Sequence, residues 1–318
     1  MAQAKGSSAK VIAGFESDYK AGAGAGAKGT VMPRVSFSGG ASRTLNTSSV
    51  VTGSRSPSAP SAGNTDYSGN IVVPVDAQTF PLWLIALFGL PATTADGDSF
   101  KHVFTPCETQ PSLWIEKQFP ELSGYILGYG IKASSLAISV TSEGEVTADI
   151  GLIGAGERSN GVAAVANPAE LAFMQFQNFQ ATIKMDGVAL SDRITEFSLN
   201  MDCGLDGDSY CVGGGGERGS IAEGVLGISG NISALFTDKT LLQKGADNAT
   251  VSFAVEYVLG ATKLLVELTE AKINRASPAI DGPKGIKESY SFQGFASNLA
   301  DDAIRFTVTN DVESYSLA

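Results

Sequence analysis

Hydrophobic and polar positions alternate over several long stretches of the chain. In residues 131–153, IKASSLAISVTSEGEVTADIGLI, Leu136, Ile138 and Val140 alternate with Ser135, Ala137, Ser139 and Thr141. After the SEGE turn, Val146, Ala148, Ile150 and Leu152 alternate with Thr147, Asp149 and Gly151. A period of two around a turn predicts a long hairpin with one apolar face and one small, polar face. Residues 181–202 repeat the design, with Asp186-Gly187 as the hairpin turn signal. In the second strand of that segment Phe197, Leu199 and Met201 face one way, and Glu196, Ser198, Asn200 and Asp202 the other. A third region, GISGNISALFTD, sets Ile228, Ile232 and Phe236 against Ser229, Asn231, Ser233 and Thr237.

The pattern changes at residues 80–90, FPLWLIALFGL, which hold no charge. A membrane-spanning helix needs about 20 apolar residues, so this run does not span. Pro81 suits a first helical turn, where its missing N–H is no loss, and the run predicts a buried helix over 80–88 that is apolar all round. Its large side chains include Leu82, Trp83, Leu84, Leu87 and Phe88. Further strands are predicted at 30–37, 71–75, 100–105, 112–116, 251–258, 263–267, 290–295 and 304–309, and a second short helix at 239–246. The fold class is mainly β, with one or two short helices.

Composition adds a division along the chain. Residues 1–65 are rich in Gly, Ala, Ser and Thr, including AGAGAGA and SRSPSAPSAGN, the texture of an extended arm. Residues 66–318 are expected to form a single β-rich domain, with a mobile loop near 206–220. The net charge of -11 is uneven: residues 1–60 carry +5, and the rest of the chain -16. An acidic body argues against gripping nucleic acid, because Lys and Arg supply most non-specific affinity for phosphate. It does not argue against DNA passing nearby. The three cysteines imply neither a disulfide framework nor a zinc site. The first residues lack the apolar segment of a signal peptide, so the chain is expected to stay in the cytoplasm where it is made.

Catalytic chemistry is hard to assemble from these residues. The single histidine, His102, lies in the strand-like FKHVF, where a structural role is expected. Gly214, Gly216 and Gly219 fit GxGxxG but do not open a helix, so a surface loop is the expectation. The Asp-Gly-Asp pairs at 96–98 and 206–208 read as turns. Phe173, Phe176 and Phe179 alternate with glutamines without a cation among them, which favours packing over base stacking. No enzyme, cofactor or metal site is expected.

Residues 47–89, from TSSVVTGSR through FPLWLIALFG, resemble the N-terminal part of the tail tube proteins (major tail proteins) of tailed bacteriophages. FQATIKMDGVALSDRITEFSLNMDCGLD is similar to the hairpin of that family, and AKINRASPAIDGPKGIKESYSFQGF with AIRFTVTND to its closing strands. The resemblance implies a tail-tube fold, a β-sandwich or partial barrel whose subunits form homohexameric rings and pool strands into one inner β-barrel. The rings would stack into the conduit for genome ejection. Asp149, Glu196, Ser198, Asn200, Asp202 and Asn231 would then line the lumen, which DNA crosses without specific binding. The helix would cover the other face of the sheet, shielding Leu136, Ile150 and Phe197. The implied partners are further copies of the chain, a tape-measure protein, a tail terminator and distal tail or baseplate proteins. The implied location is the virion tail, and the host cytoplasm during assembly. The alternatives are another ring-forming tail or contractile-injection component, such as a terminator, and a β-sandwich adhesin or capsid decoration protein.

Overall fold

A computed structural model describes residues 3–190, 192–280, 282–298 and 301–317. The first part of the chain forms β1 (Lys10–Phe15), β2 (Thr30–Val31), β3 (Ser36–Phe37), β4 (Gly40–Asn46), β5 (Ser61–Pro74) and helix α1 (Phe80–Phe88). The middle forms β6 (Ala92–Asp96), β7 (Ser99–Phe104), β8 (Leu113–Phe119), β9 (Gly124–Thr141), β10 (Thr147–Gly154) and β11 (Gly156–Asn160). The last part forms β12 (Ala181–Met185), β13 (Val188–Ala189), β14 (Ile194–Asp202), β15 (Gly227–Leu235), α2 (Thr240–Ala246), β16 (Thr250–Leu259), β17 (Thr262–Ile273), β18 (Lys287–Phe295) and β19 (Ile304–Asn310).

The named strands pair antiparallel, and two sheets among them pack face to face. One is the sheet β5–β10–β9–β14–β15–β18, here called the inner sheet. The other is β12–β16–β17–β19–β7–β6. Strand β17 joins them, because Lys263–Leu268 pair with β19 while Glu270–Ile273 pair with β18. The apolar residues of each alternating strand point between the layers. Ile138, Val140 and Leu199 face Val255, Leu264 and Val266 there. Phe197 stacks on Phe292 with ring centroids 5.4 Å apart and meets Phe253 edge-on at 5.8 Å. Fully burying each such side chain is worth about 1.5–3 kcal/mol.

Strand β9 belongs to more than one ladder. Its second half pairs with β10 and β14, and its first half with β8 and β11. The transition lies near Gly130, whose φ of 60° favours glycine and where an added Cβ would come within 2.8 Å of the Ala155 Cβ.

Helix α1 occupies residues 80–88, as the apolar run predicts. Its amino end is satisfied by Asp76, buried at 1% exposure, whose carboxylate accepts the N–H groups of Phe80 at 2.8 Å and Thr79 at 3.1 Å. Gly89 ends the helix with φ 77°. Trp83, Leu84, Leu87 and Phe88 are buried, but Leu82 is only partly so, lining a cleft with Phe15 and Met32. The helix lies against β9 and β7. The expectation that it shields Phe197 needs correction: that ring is covered by Phe253, on β16 of the second sheet, and stacks on Phe292 of β18.

The 181–202 hairpin also needs correction. Asp186 and Gly187 do make a turn with positive φ at both positions, but only Lys184↔Ala189 and Met185↔Val188 pair across it. Strand β12 pairs with β16 in one layer and β14 with β9 and β15 in the other. Local alternation fixes which residues share a face, not which strand lies alongside.

Small-residue composition conceals structure in the first 65 residues. Strand β1 pairs with β8 and β2, with Val11, Ile12 and Ala13 buried. Strands β4 and β5 form a hairpin that runs beyond the end of β10, where Gly154 pairs with Tyr67. The glycine-rich segment 206–220 is attached to the same region through Arg218. Its guanidinium is buried and donates to the carbonyls of Gly207 (2.6 Å), Gly154 (2.7 Å) and Tyr67 (3.2 Å) and to the Asp66 carboxylate.

Candidate functional site: the polar face of the inner sheet

The face of the inner sheet turned away from the core is built in rows set by strand register. One row reads Ser139, Ser198, Asn231, Ser291 across four strands. The next reads Val72, Asp149, Ala137, Asn200, Ser229, Gln293 across six. Beyond it lie Asn70, Gly151, Ser135, Asp202 and Gly227, and on the other side Thr141, Glu196, Ser233 and Ser289. All six residues expected on the polar side therefore share one face. Glu196, Asn200, Asp202 and Asn231 are exposed, and Asp149 and Ser198 half-buried.

Short side chains make this surface low and hydrogen-bonding. The Asn231 N–H donates to the Ser198 hydroxyl at 3.2 Å, and the Ser233 and Ser289 hydroxyls lie 3.1 Å apart. Asp149 is held against the sheet by Asn70, whose amide donates to both carboxylate oxygens, at 2.7 and 3.0 Å. Glu196 and Asp202 are six residues apart on one strand, about 20 Å at strand rise, so their carboxylates lie near opposite ends of the face. The cations Lys272 and Lys287 stand at its β18 margin, opposite Gln293 and Leu235. A face of hydroxyls, amides and separated carboxylates can hydrate well and offers a phosphate chain little to hold.

Several contributors escape the sequence pattern. Asn70 sits in a glycine-containing segment, SGNI, without regular alternation. Ser289 precedes the predicted span of β18, and Ser291 and Gln293 join the face only because that strand pairs with β15. A run KESYSFQ, alternating polar and bulky from Lys287, was the available signal.

The single histidine is built into the packing of the core. His102 is fully buried; its Nδ1 lies 2.8 Å from the Thr93 hydroxyl and its Nε2 2.9 Å from the Val312 carbonyl. Its ring meets Tyr315 edge-on at 4.7 Å. Burial pushes its pKa down, against the opposing pull of its bonds to Val312 and Asn310. Among the described residues no three His, Cys, Asp or Glu side chains are grouped to hold a metal ion. No helix among them is long and apolar enough to cross a membrane.

A family model described as phage tail tube protein matches residues 6–294, nearly the whole chain. No curated protein matches it.

Proposed function

The chain belongs to the phage tail tube protein family, and from that premise we propose that six copies form a ring whose inner sheets join into one barrel. The family is structural, and membership implies self-assembly into a tube in the virion tail. The finer reading is that stacked rings conduct the genome during ejection, with the polar face toward the lumen. The rings are assembled in the host cytoplasm. A tape-measure protein inside, a terminator at one end and distal tail or baseplate proteins at the other complete the set of partners.

The supporting observation is the polar face itself. A sheet with this much small, polar surface on one side and a covered apolar side suits the wall of a wet channel. Barrels of 16–18 strands leave only a small-solute channel, and a wider bore needs more strands than one inner sheet supplies. Pooling the four central strands of that sheet, β10, β9, β14 and β15, from each of six copies gives about 24, which suffices in the same scaling. Asp149, Glu196, Ser198, Asn200, Asp202 and Asn231 then line the bore. The first 65 residues make contacts between subunits or rings through the exposed β4–β5 hairpin, since β1 is bound within its own subunit.

Negative-stain microscopy of the purified protein tests this reading. Hollow tubes of indefinite length are expected. Single closed rings that never stack would indicate a terminator-like component instead, and compact monomers at every concentration would point to an adhesin or decoration protein.

A further inference from the structure

The β4–β5 hairpin ends in a tip that its own subunit leaves uncovered. Nearly every residue from 42 to 62 is exposed, with Leu45 at 71%, Val50 at 68% and Val51 at 91%. The tip contains no acid, and Arg55 has no hydrogen bond or ion pair among the described residues. Pro57 and Pro60 restrict the chain there, which lowers the entropy lost when such a loop is fixed on a partner.

The opposite end of the inner sheet carries complementary features. Strand β5 runs from the hairpin, at the Tyr67–Gly154 pair, to Pro74 paired with Thr147. Beside that second end lies an open groove of about 270 Å³ lined by Thr141, Phe179, Ile183, Leu190, Asp192 and Ile194. A neighbouring groove that includes Val188 shares Leu190 and Asp192 with it. Phe179 is 72% exposed and Val188 68%, a large apolar outlay for an end otherwise polar. Glu143, Glu145 and Asp192 are exposed at or near this groove, and none has a side-chain partner among the described residues.

We infer that Val50 and Val51 at the hairpin tip of one copy dock in the Phe179–Val188 groove of a second copy, with Arg55 facing the acidic rim. The inference rests on the tube reading and names the two surfaces that stack one ring on the next. Each copy presents a tip at one end and a groove at the other, so the contact is head-to-tail and does not close on itself. Like apolar surface is removed from water on both sides, and the opposite charges select the end and orient the approach.

Cysteine pairs test it in assembled wild-type-length protein. In a Cys211→Ser background, which removes the exposed native thiol, V51C with F179C is treated with a short bismaleimide, and each single variant serves as control. A ladder of cross-linked species continuing well past one ring is expected for the pair alone. Tubes that form normally without cross-linking would overturn the docking and leave the tube reading intact. Bands that stop at the size of one ring would place the contact between ring neighbours and overturn it as well. Failure of the unaltered chain to polymerise at all would remove both readings. In parallel, V51D is expected to raise the protein concentration needed for tubes about tenfold or more while leaving the melting temperature unchanged. An unaltered assembly concentration would count against the proposal.

Discussion

Asp76 reaches forward four residues to accept the backbone N–H of Phe80 at 2.8 Å, and so closes the amino end of a helix that has no capping side chain at Thr79. The same carboxylate accepts the N–H and hydroxyl of Thr79. Replacing it with alanine leaves buried donors without partners. D76A is expected to lose about 1–3 kcal/mol of stability, read by urea denaturation. A loss of only a few tenths would mean that water replaces the cap.

The helix itself makes a second comparison. Trp83 is 2% exposed, whereas its neighbour Leu82 is only partly buried. W83A is expected to cost about 3–5 kcal/mol and L82A clearly less. Placing a charge there, as in W83D, is expected to unfold the subunit. Normal assembly of soluble W83D would show that this helix does not hold the sheet in place.

The polar face makes an electrostatic prediction. Changing Glu196 and Asp202 together to Lys alters a six-copy ring by about 24 charges and creates phosphate contacts whose strength falls steeply with salt. Phage carrying both changes are expected to assemble tails of normal length yet eject DNA slowly, with partial recovery at high ionic strength. Ejection at the unaltered rate in low salt would place these residues outside the lumen.

His102 ties stability to pH. Its folded pKa lies below the ordinary 6.5 because burial disfavours the imidazolium. The unfolded chain therefore takes up a proton below about pH 6.5 that the folded one refuses, and stability falls as pH drops through that value toward the depressed one. The slope is limited to about 1.4 kcal/mol per pH unit. Denaturation at pH 7.5 and 5.5 is expected to show a drop that H102Q lacks; equal slopes would assign the acid sensitivity to the carboxylates.

Arg218 controls the glycine-rich segment. R218A strands the Tyr67 and Gly154 carbonyls and is expected to cost about 2–3 kcal/mol. Hydrogen exchange across 207–218 is expected to quicken. Protection equal to that of the unaltered chain would mean that the ion pair between Glu217 and Lys20, at 2.9 Å, holds the segment by itself.

The mainly β class, the limits of α1 and the β9–β10 hairpin were legible because each rests on a local period. Leu136, Ile138 and Val140 bury one face of β9 as their spacing requires. What lies between elements was not legible. Strand β1, KVIAGF, is short and sits in a small-residue context, and it becomes a strand through its pairing with β8 and β2. Arg218 acts on carbonyls brought close by the fold, those of Tyr67 and Gly154, at sequence separations that no period marks. The polar face was readable within each strand, but Asn70 and Gln293 joined it through register.

Strand β9 gives the subunit a mechanical character. Eighteen residues long, it is bonded along one half to β10 and β14 and along the other to β8 and β11. Antiparallel hydrogen bonds lie across the strand direction. A pull along β9 therefore loads many bonds together in shear, whereas a pull across an edge would open them one at a time. Tension along this direction would load the ladders on both halves of β9 together instead of peeling either one from its end.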